Sequence, residues 1–258
     1  MNSTIIKNVR EKNPLIHHLI NEVVMNFVAN GTLSFGASPV MARSLKEASD
    51  MASNADGVLL NIGTVTEEDI PAMIAAGKTA NDKNIPVLVD PVGVAATSFR
   101  SEAIQAILQD VKPTVIKGNA GEMAHLAGVS WEVKGVDSVG EGDVSDIVKR
   151  VAETYNTSVV ISGKTDVIYS NNQLYTNDLG HPYLTKVTGG GCLLGSVITA
   201  CLTTDAPVEE QLQTAVQFYG LAAEYTVNQL GITGPGTFMA RFIDALSKDV
   251  ETLTGDDV

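Results

Sequence analysis

Three consecutive glycines precede an apolar run in the stretch Lys186-Val187-Thr188-Gly189-Gly190-Gly191-Cys192-Leu193-Leu194-Gly195-Ser196. The apolar run continues to Leu202, which is long enough for a helix. Because glycine has no Cβ atom, the backbone can turn sharply here and come close to a ligand. The following helix would present unpaired amides and the positive end of its dipole to that ligand. The stretch therefore predicts a phosphate-binding loop, with an ordinary loop before a helix as the alternative.

Both cysteines of the chain fall in this predicted helix. Cys192 lies in the first turn, where a thiol ionises more easily. Cys201 lies further along, among apolar residues, and is expected in the core. Two cysteines placed in this way predict neither a disulfide framework nor a zinc cluster.

The composition predicts an α/β protein with an aliphatic core. Of the 258 residues, 44% are hydrophobic, 18% are charged and only 5% are aromatic. Such a chain can bury a large core, and scarce aromatics are typical of parallel sheets covered by helices. The formal net charge of -13 disfavours nucleic acid or an anionic membrane surface as the main partner. A phosphate ligand remains possible because a glycine-rich loop binds anions through backbone dipoles.

Neither membrane insertion nor secretion is predicted. No apolar run reaches the roughly 20 residues that a membrane span requires. The first residues, Met1 to Lys7, lack the apolar core of a secretory signal. We therefore expect a soluble cytoplasmic protein.

Predicted strands alternate with predicted helices along most of the chain. The apolar patterns predict strands over 14–20, 56–64, 85–93, 114–119 and 158–166, then a hairpin whose arms, 167–169 and 173–175, flank Asn171-Asn172. Helices are predicted over 4–12, 23–30, 44–54, 67–81, 100–110 and 144–155, with a turn over 36–41 and a surface loop over 130–143. This alternation predicts right-handed βαβ units in one mostly parallel sheet, and residues 1–258 as a single domain.

Polar side chains end several of these strands. Asp90, Lys117, Asn119 and Ser162 follow buried apolar segments, and the glycine loop follows the hairpin. Ligands of parallel sheets bind beyond the carboxyl ends of the strands, so these residues are expected to share one cleft. A carboxylate such as Asp90 is costly beside a Val-Leu-Val segment unless it lies at the rim and is paired or metal-bound.

Asn119 and Glu122 admit two interpretations. Their oxygens, together with those of Asp90, suit Mg2+, which is commonly held by one or two carboxylates with phosphates and water. The same Asn-x-x-Glu spacing is typical of a capping box at a helix N-terminus, and for this pair alone capping is favoured. Lys117 beside them could meet a phosphate or only Glu122.

In their order along the chain, the motifs resemble those of the hydroxyethylthiazole kinase family, small members of the ribokinase-like superfamily. Each motif is weak alone, but the ordered set is specific and covers about residues 14 to 244. The matching segments are Leu19-Ile20-Asn21, Val24-Met25-Asn26-Phe27, Gly36-Ala37-Ser38-Pro39-Val40-Met41, Leu60-Asn61-Ile62-Gly63-Thr64, Asp90-Pro91-Val92-Gly93, Ile116-Lys117-Gly118-Asn119 with Glu122, Ser162-Gly163 with Asp166, Thr188-Gly189-Gly190-Gly191-Cys192 and Gly234-Pro235-Gly236-Thr237-Phe238.

The resemblance implies a ribokinase-like α/β fold, with a mostly parallel central sheet, helices on both faces and no separate lid domain. It implies ATP-dependent phosphorylation of the primary alcohol of 4-methyl-5-(2-hydroxyethyl)thiazole, a step of thiamine salvage, with Mg2+ as cofactor. It also implies a homotrimer with active sites between subunits, so residues 21–41 are expected to face a neighbouring chain. Such a kinase depends mainly on positioning and charge stabilisation.

The resemblance also assigns site residues position by position. It implies substrate contacts for Asn21, Met41 and Gly189, and nucleotide contacts for Lys117, Asn119 and Ser162. It implies that Asp90 and Glu122 hold magnesium, directly or through water, and that the anion hole for the transferred phosphoryl group consists of Gly189, Gly190 and Gly191.

The role of Cys192 and the identity of the substrate each have an alternative. Cys192 stands where the wider superfamily has an aspartate general base, so it is either the proton acceptor or a small residue lining the anion hole. The substrate could be a related vitamin, hydroxymethylpyrimidine or pyridoxal, although the Asn21 and Met41 segments favour the thiazole. A catalytically silent protein that binds the thiazole or a nucleotide is opposed by the complete set of site residues.

Overall fold

Eight strands form one sheet in the computed structural model, which describes residues 1–129 and 141–255. The strands are β1 (Leu15–Leu19), β2 (Ser38–Val40), β3 (Gly57–Asn61), β4 (Val87–Asp90), β5 (Val115–Asn119), β6 (Ser158–Ser162), β7 (Asp166–Ser170) and β8 (Gln173–Asn177). Their spatial order is β2-β1-β3-β4-β5-β6-β7-β8, and every pairing from β2 to β6 is parallel. β7 and β8 form an antiparallel hairpin at one edge. The predicted mostly parallel sheet is confirmed. Of the surface loop predicted over 130–143, residues 130–140 lie outside the described residues, and the prediction is wrong for residues 141–143, which begin a helix.

Helices cover both faces of this sheet, as predicted. They are α1 (Ser3–Lys12), α2 (Met25–Phe35), α3 (Leu45–Asn54), α4 (Asp69–Asp82), α5 (Ser98–Asp110), α6 (Ala120–Leu126), α7 (Glu141–Tyr155), α8 (Gly190–Cys201), α9 (Val208–Val227), α10 (Pro235–Leu246) and α11 (Val250–Thr254), with a short 3-10 helix at Pro182–Lys186. In the described ranges, every helix is too short or too polar to cross a bilayer.

Alternating residues of the central strands contribute to two separate cores. Leu59 of β3 packs in the first core, against α1, α2, α8, α9 and α10. Its neighbour Leu60 packs in the second core, against α3 to α7. Successive side chains of a strand point to opposite faces, and here both faces are apolar. All of β3 is buried, as expected for a strand that is covered on both sides.

The predicted end of α2 at Gly31 is wrong. The helix continues to Phe35 and is capped by Gly36, whose φ of 109° is the left-handed conformation that glycine adopts at helix ends. Gly31 serves packing instead, since a Cβ atom on it would lie 2.5 Å from the side chain of Leu193 in α8. The missing side chain therefore lets α2 lie directly against the helix that follows the glycine loop.

The prediction of a turn over 36–41 is also wrong. Residues 38–40 form the edge strand β2, which pairs in parallel with β1. Pro39 is tolerated there because a proline on an edge strand can leave its nitrogen facing away from the ladder. A strand this short shows no alternating pattern in the sequence, and it carries Met41 at its carboxyl end.

α8 lies between the sheet and other helices of the first core. It packs on β1, β3 and β4 and against α1, α2 and α9. The Ser196 hydroxyl lies 2.8 Å from Nε2 of His18 in β1 and 2.7 Å from Oγ1 of Thr32 in α2. Burial lowers the pKa of His18 to about 4, so its imidazole is neutral. These buried contacts fix the position of α8 relative to the strand ends.

α9, which packs on α8, approaches the segment after β8 very closely at Gly220. A Cβ atom on Gly220 would lie 2.3 Å from the backbone oxygen of Leu179. Because this neighbour is backbone rather than the end of a flexible side chain, it cannot move without shifting the segment.

Gly220→Ala is therefore expected to destabilise the protein by about 1–3 kcal/mol through overpacking. Gly236→Ala is the matched control, because Gly236 lies in α10 and a Cβ atom there meets nothing within 4 Å. The control is expected to stabilise the protein by up to about 1 kcal/mol, since alanine favours a helix over glycine. Urea unfolding midpoints test the pair, and shifts of the same sign in both variants would contradict the packing argument.

Candidate active site

Three neighbouring strands place polar side chains at the same edge of the sheet. Asn61 ends β3 and pairs in register with Asp90, which ends β4, while Lys117 lies in β5. All three side chains are buried, with exposed fractions of 1%, 0% and 4%. The strands therefore bring an amide, a carboxylate and an ammonium together inside the protein.

Asp90 and Lys117 form a buried ion pair. Nζ of Lys117 donates to Oδ2 of Asp90 over 3.3 Å. Burial raises the pKa of Asp90 to about 6, although the Lys117 ammonium acts in the opposite direction. Burial also disfavours the charge of Lys117, but the negative groups around it prevail and raise its pKa. The raised pKa favours the charged form of Lys117 at the carboxyl end of the sheet.

Two asparagines connect this pair to Cys192. Oδ1 of Asn61 accepts hydrogen bonds from the backbone amide of Gly63, at 2.9 Å, and from Nδ2 of Asn21, at 3.1 Å. Its Nδ2 donates to Oδ2 of Asp90 at 3.0 Å and to Sγ of Cys192 at 3.3 Å. Nδ2 of Asn21 reaches the same sulfur at 3.5 Å. The sulfur thus accepts two amide hydrogen bonds, and any proton on it must point elsewhere.

Cys192 lies in the first turn of α8, where burial opposes the ionisation of its thiol. Burial raises its pKa above the ordinary value, and the charge of Asp90 adds to this effect. Lys117 and the two asparagine amides act in the opposite direction without overcoming it. The expectation of an easily ionised thiol is therefore wrong, because burial outweighs the favourable position at a helix N-terminus.

Each glycine of the loop lies where a side chain would be strained or crowded. Gly189 caps α8 with a φ of 92°, in the left-handed region that favours glycine. A Cβ atom on Gly190 would lie 2.8 Å from the backbone oxygen of Leu184. On Gly191 it would lie 3.2 Å from Nζ of Lys117. The third glycine therefore leaves space between the buried ammonium and the first turn of α8.

The first turn of α8 has unpaired amides. Within the described parts of the chain, no acceptor receives the backbone N–H of Gly191 or Cys192, whereas that of Gly190 donates to the oxygen of Val187. Unpaired amides at a helix N-terminus attract anions, and the nearby ammonium of Lys117 adds a full positive charge. This arrangement can stabilise a phosphate or a phosphoryl group in transfer.

Asn119 and Glu122 form the capping box of α6, which confirms the capping interpretation. Oδ1 of Asn119 accepts from the amide of Glu122 at 2.9 Å, and Oε2 of Glu122 accepts from the amide of Asn119 at 2.8 Å. Oε1 of Glu122 accepts from the amide of Gly93 at 2.9 Å. Glu122 therefore ties the segment after β4 to the start of α6, and a metal contact would use its remaining lone pairs.

The fit of Mg2+ to these residues depends mainly on Asp90. Oδ1 of Asp90 is buried and has no hydrogen-bond partner in the described part of the chain. A buried carboxylate oxygen without a partner is costly, and a cation or its bound water would satisfy it. Among the described residues, no group of three or more His, Cys, Asp or Glu side chains could hold a metal alone. Phosphate oxygens and water would therefore complete the coordination, as is usual for magnesium.

Ser162 and Met41 occupy the flanks of the site. Ser162 ends β6, pairs in register with Asn119, and places its hydroxyl 3.4 Å from the oxygen of Gly118. Met41 follows β2 and packs against the first core, which also contains Cys192. Neither side chain takes part in the hydrogen bonds described above.

Sequence reasoning missed two residues that contact the site. Asn61 ends β3 just as Asp90 ends β4, and this shared position is the signal that could have identified it. Tyr219 lies in α9, and its hydroxyl donates to the backbone oxygen of Gly190 at 2.6 Å. Nothing in the sequence near Tyr219 signals this contact, because it joins two segments that are far apart in the chain.

The sheet and its helical layers have a ribokinase-like fold, and the anion site lies at the strand ends. A ribokinase-like superfamily protein from Enterococcus faecalis has the same fold: the TM-score is 0.66, the coverage is 95% of this chain and 94% of that chain, and the identity is 12%. The fold implied by the motifs is confirmed.

This chain belongs to the hydroxyethylthiazole kinase family, whose family model matches residues 6–251. It is 58% identical over 254 residues to hydroxyethylthiazole kinase 1 of Oceanobacillus iheyensis, covering 98% of this chain and 99% of that protein. A hydroxyethylthiazole kinase structure from Pyrococcus horikoshii matches with a TM-score of 0.88 and 33% identity, covering 98% of this chain and 94% of that chain. The family that the motifs resemble is therefore confirmed.

We expect Cys192 to react slowly with iodoacetamide near neutral pH, and its rate to rise only above the ordinary thiol pKa, because only the thiolate reacts. Cys201 is a control within the same chain, since complete burial raises its pKa further and it should remain unmodified. Peptide mass spectrometry after timed exposure at a series of pH values measures both rates. A rate for Cys192 that is already maximal near neutral pH would indicate an activated thiolate and contradict this expectation.

Proposed function

We propose that this chain transfers the γ-phosphoryl group of ATP to the primary alcohol of hydroxyethylthiazole, a step of thiamine salvage. The observation that carries the proposal is the first turn of α8, where the amides of Gly191 and Cys192 have no acceptor within the described ranges and lie beside the buried ammonium of Lys117. Membership of the family, and the activity for which the relatives above are named, support the choice of substrate. Fixed amides and an ammonium suit a transition state whose charge spreads over phosphoryl oxygens.

In the proposed reaction, the alcohol oxygen attacks the γ-phosphorus, a new O–P bond forms, and the bond to the bridging oxygen of ADP breaks. The amides of Gly191 and Cys192 and the ammonium of Lys117 stabilise the charge on the phosphoryl oxygens. The alcohol proton leaves for solvent or a phosphate oxygen, because a loose transition state does not require a strong base. The raised pKa of Cys192 leaves little thiolate near neutral pH, which supports a lining role over that of proton acceptor.

The remaining site residues bind and orient the two substrates in this proposal. Magnesium, when bound, would neutralise phosphate charge, held by the open Oδ1 of Asp90 and by Glu122, directly or through water. The nucleotide would contact Lys117, Asn119 and Ser162. The thiazole would contact Asn21, Met41 and Gly189.

Wild-type protein with Mg-ATP is expected to phosphorylate hydroxyethylthiazole in preference to hydroxymethylpyrimidine and pyridoxal. Cys192→Ala is expected to keep kcat within about tenfold of wild type, because loss of a true general base would cost more. A coupled assay that detects ADP measures the substrate preference of the wild type and the kcat of the variant. Loss of turnover in Cys192→Ala, with turnover retained in Cys192→Asp, would instead make Cys192 the proton acceptor.

Turnover of only hydroxymethylpyrimidine or pyridoxal would change the proposed substrate. No turnover of any of the three alcohols would favour a binding protein.

We also propose that residues 1–258 are a single kinase domain that assembles as a homotrimer with active sites between subunits. Apolar side chains that are exposed within or beside residues 21–41 support this assembly. Val23 is 71% exposed, Leu33 in α2 is 58% exposed and Leu45 in α3 is 53% exposed. Burial of such side chains against another subunit would remove apolar area from water and favour association.

Leu33→Glu is expected to weaken this assembly, because it would place a charge in an apolar interface. Leu230→Glu is the matched control, since Leu230 is 97% exposed in the loop between α9 and α10 and should leave the assembly intact. Sedimentation velocity over a range of concentrations measures the state of both variants. A monomeric wild type, or an unchanged trimer in Leu33→Glu, would contradict the proposed interface.

A further inference from the structure

Tyr219 of α9 reaches the glycine loop from inside the protein. Its hydroxyl donates a 2.6 Å hydrogen bond to the backbone oxygen of Gly190, the first residue of α8. The side chain is buried, and its ring packs edge-on against Phe242 of α10 with centroids 4.9 Å apart. The position of the hydroxyl is therefore set by the packing of α9 and α10, and not by the loop itself.

The carbonyl that Tyr219 binds belongs to the same peptide unit as the amide of Gly191. In a trans peptide the C=O and N–H groups point in opposite directions, and no cis peptide bond occurs in the described residues. A carbonyl that is held on the α9 side therefore turns the Gly191 amide away from Tyr219. This amide, like that of Cys192, has no acceptor among the residues that the structure describes.

The glycine loop needs such a restraint because its own residues supply little rigidity. Each glycine in a helical turn costs about 0.5–1 kcal/mol relative to alanine through lost backbone entropy. A stiffer residue cannot replace Gly190, because its Cβ atom would lie 2.8 Å from the backbone oxygen of Leu184. The first turn of α8 is held by the hydrogen bond from the Leu193 amide to the oxygen of Gly189, and the Tyr219 hydroxyl adds a restraint from outside the loop.

We propose that Tyr219 is a positioning residue for phosphoryl transfer: its hydroxyl orients the Gly190–Gly191 peptide so that the Gly191 amide meets the transferred group. The proposal rests on the proposed function. An amide that is fixed before the reaction stabilises developing charge without reorganisation. Because this charge develops mainly in the transition state, the hydroxyl contributes to kcat rather than to binding of the alcohol.

Tyr219→Phe tests the proposal because it removes only the hydroxyl. With hydroxyethylthiazole and Mg-ATP, kcat is expected to fall about tenfold, while KM for the alcohol changes less than about twofold. Inhibition by Mg-ADP with aluminium fluoride, which mimics the transferred group, is expected to weaken by a similar factor. Inhibition by Mg-ADP alone should remain unchanged, since ADP lacks the group that the amide meets.

Thr226→Val is the matched control. Thr226 is also buried in α9, and its hydroxyl donates to the backbone oxygen of Ala222 at 2.6 Å, away from the loop. Thermal unfolding sets an assay temperature at which both variants are folded, and the control should keep wild-type kcat and aluminium fluoride inhibition. An unchanged kcat in Tyr219→Phe, or equal losses in both variants, would overturn the role of Tyr219. A wild type without turnover would overturn the proposed function itself, and this role with it.

Discussion

The ion pair between Lys117 and Asp90 is the contact on which the rest of the site depends. Removing an ammonium and a carboxylate from water costs several kcal/mol for each ion, and their attraction offsets this only when other polar atoms complete the hydrogen bonding. Asn61 donates to one oxygen of Asp90 and is itself held by Asn21. The other oxygen of Asp90 has no partner among residues 1–129 and 141–255, which leaves an acceptor available to a cation or to water.

α8 supplies the complementary half of the site, because its packing brings unpaired amides to the ion pair. The helix packs on β4, where a Cβ atom on Gly195 would make an ordinary contact, at 3.8 Å, with Oδ2 of Asp90. Gly31 allows α2 to pack against the same helix, and Ser196 joins it to β1 through His18. Small residues and buried hydrogen bonds thus place a helix N-terminus, a cation and a carboxylate within one region. This combination suits phosphoryl transfer, which depends on positioning and on fixed charge.

Features that depend only on residues close together in the sequence could be predicted from it. The hairpin turn is confirmed, and both Asn171 and Asn172 have the positive φ angles, 50° and 58°, that a tight turn requires. The capping box of Asn119 and Glu122 is confirmed, since it needs only a spacing of three residues. The position of Asp90 at the end of a buried strand is confirmed by the register of β3 and β4.

By itself, the sequence determined the alternating α/β pattern, the glycine loop before a helix, the polar strand ends and the family. The tertiary structure decided what each of those residues contacts. It placed Gly31 inside a helix rather than at its end, raised the pKa of Cys192 instead of lowering it, and brought Tyr219 to the loop. The reason is that periodicity and capping act over a few residues, whereas burial, charge pairing and close packing depend on segments that meet only in the folded chain.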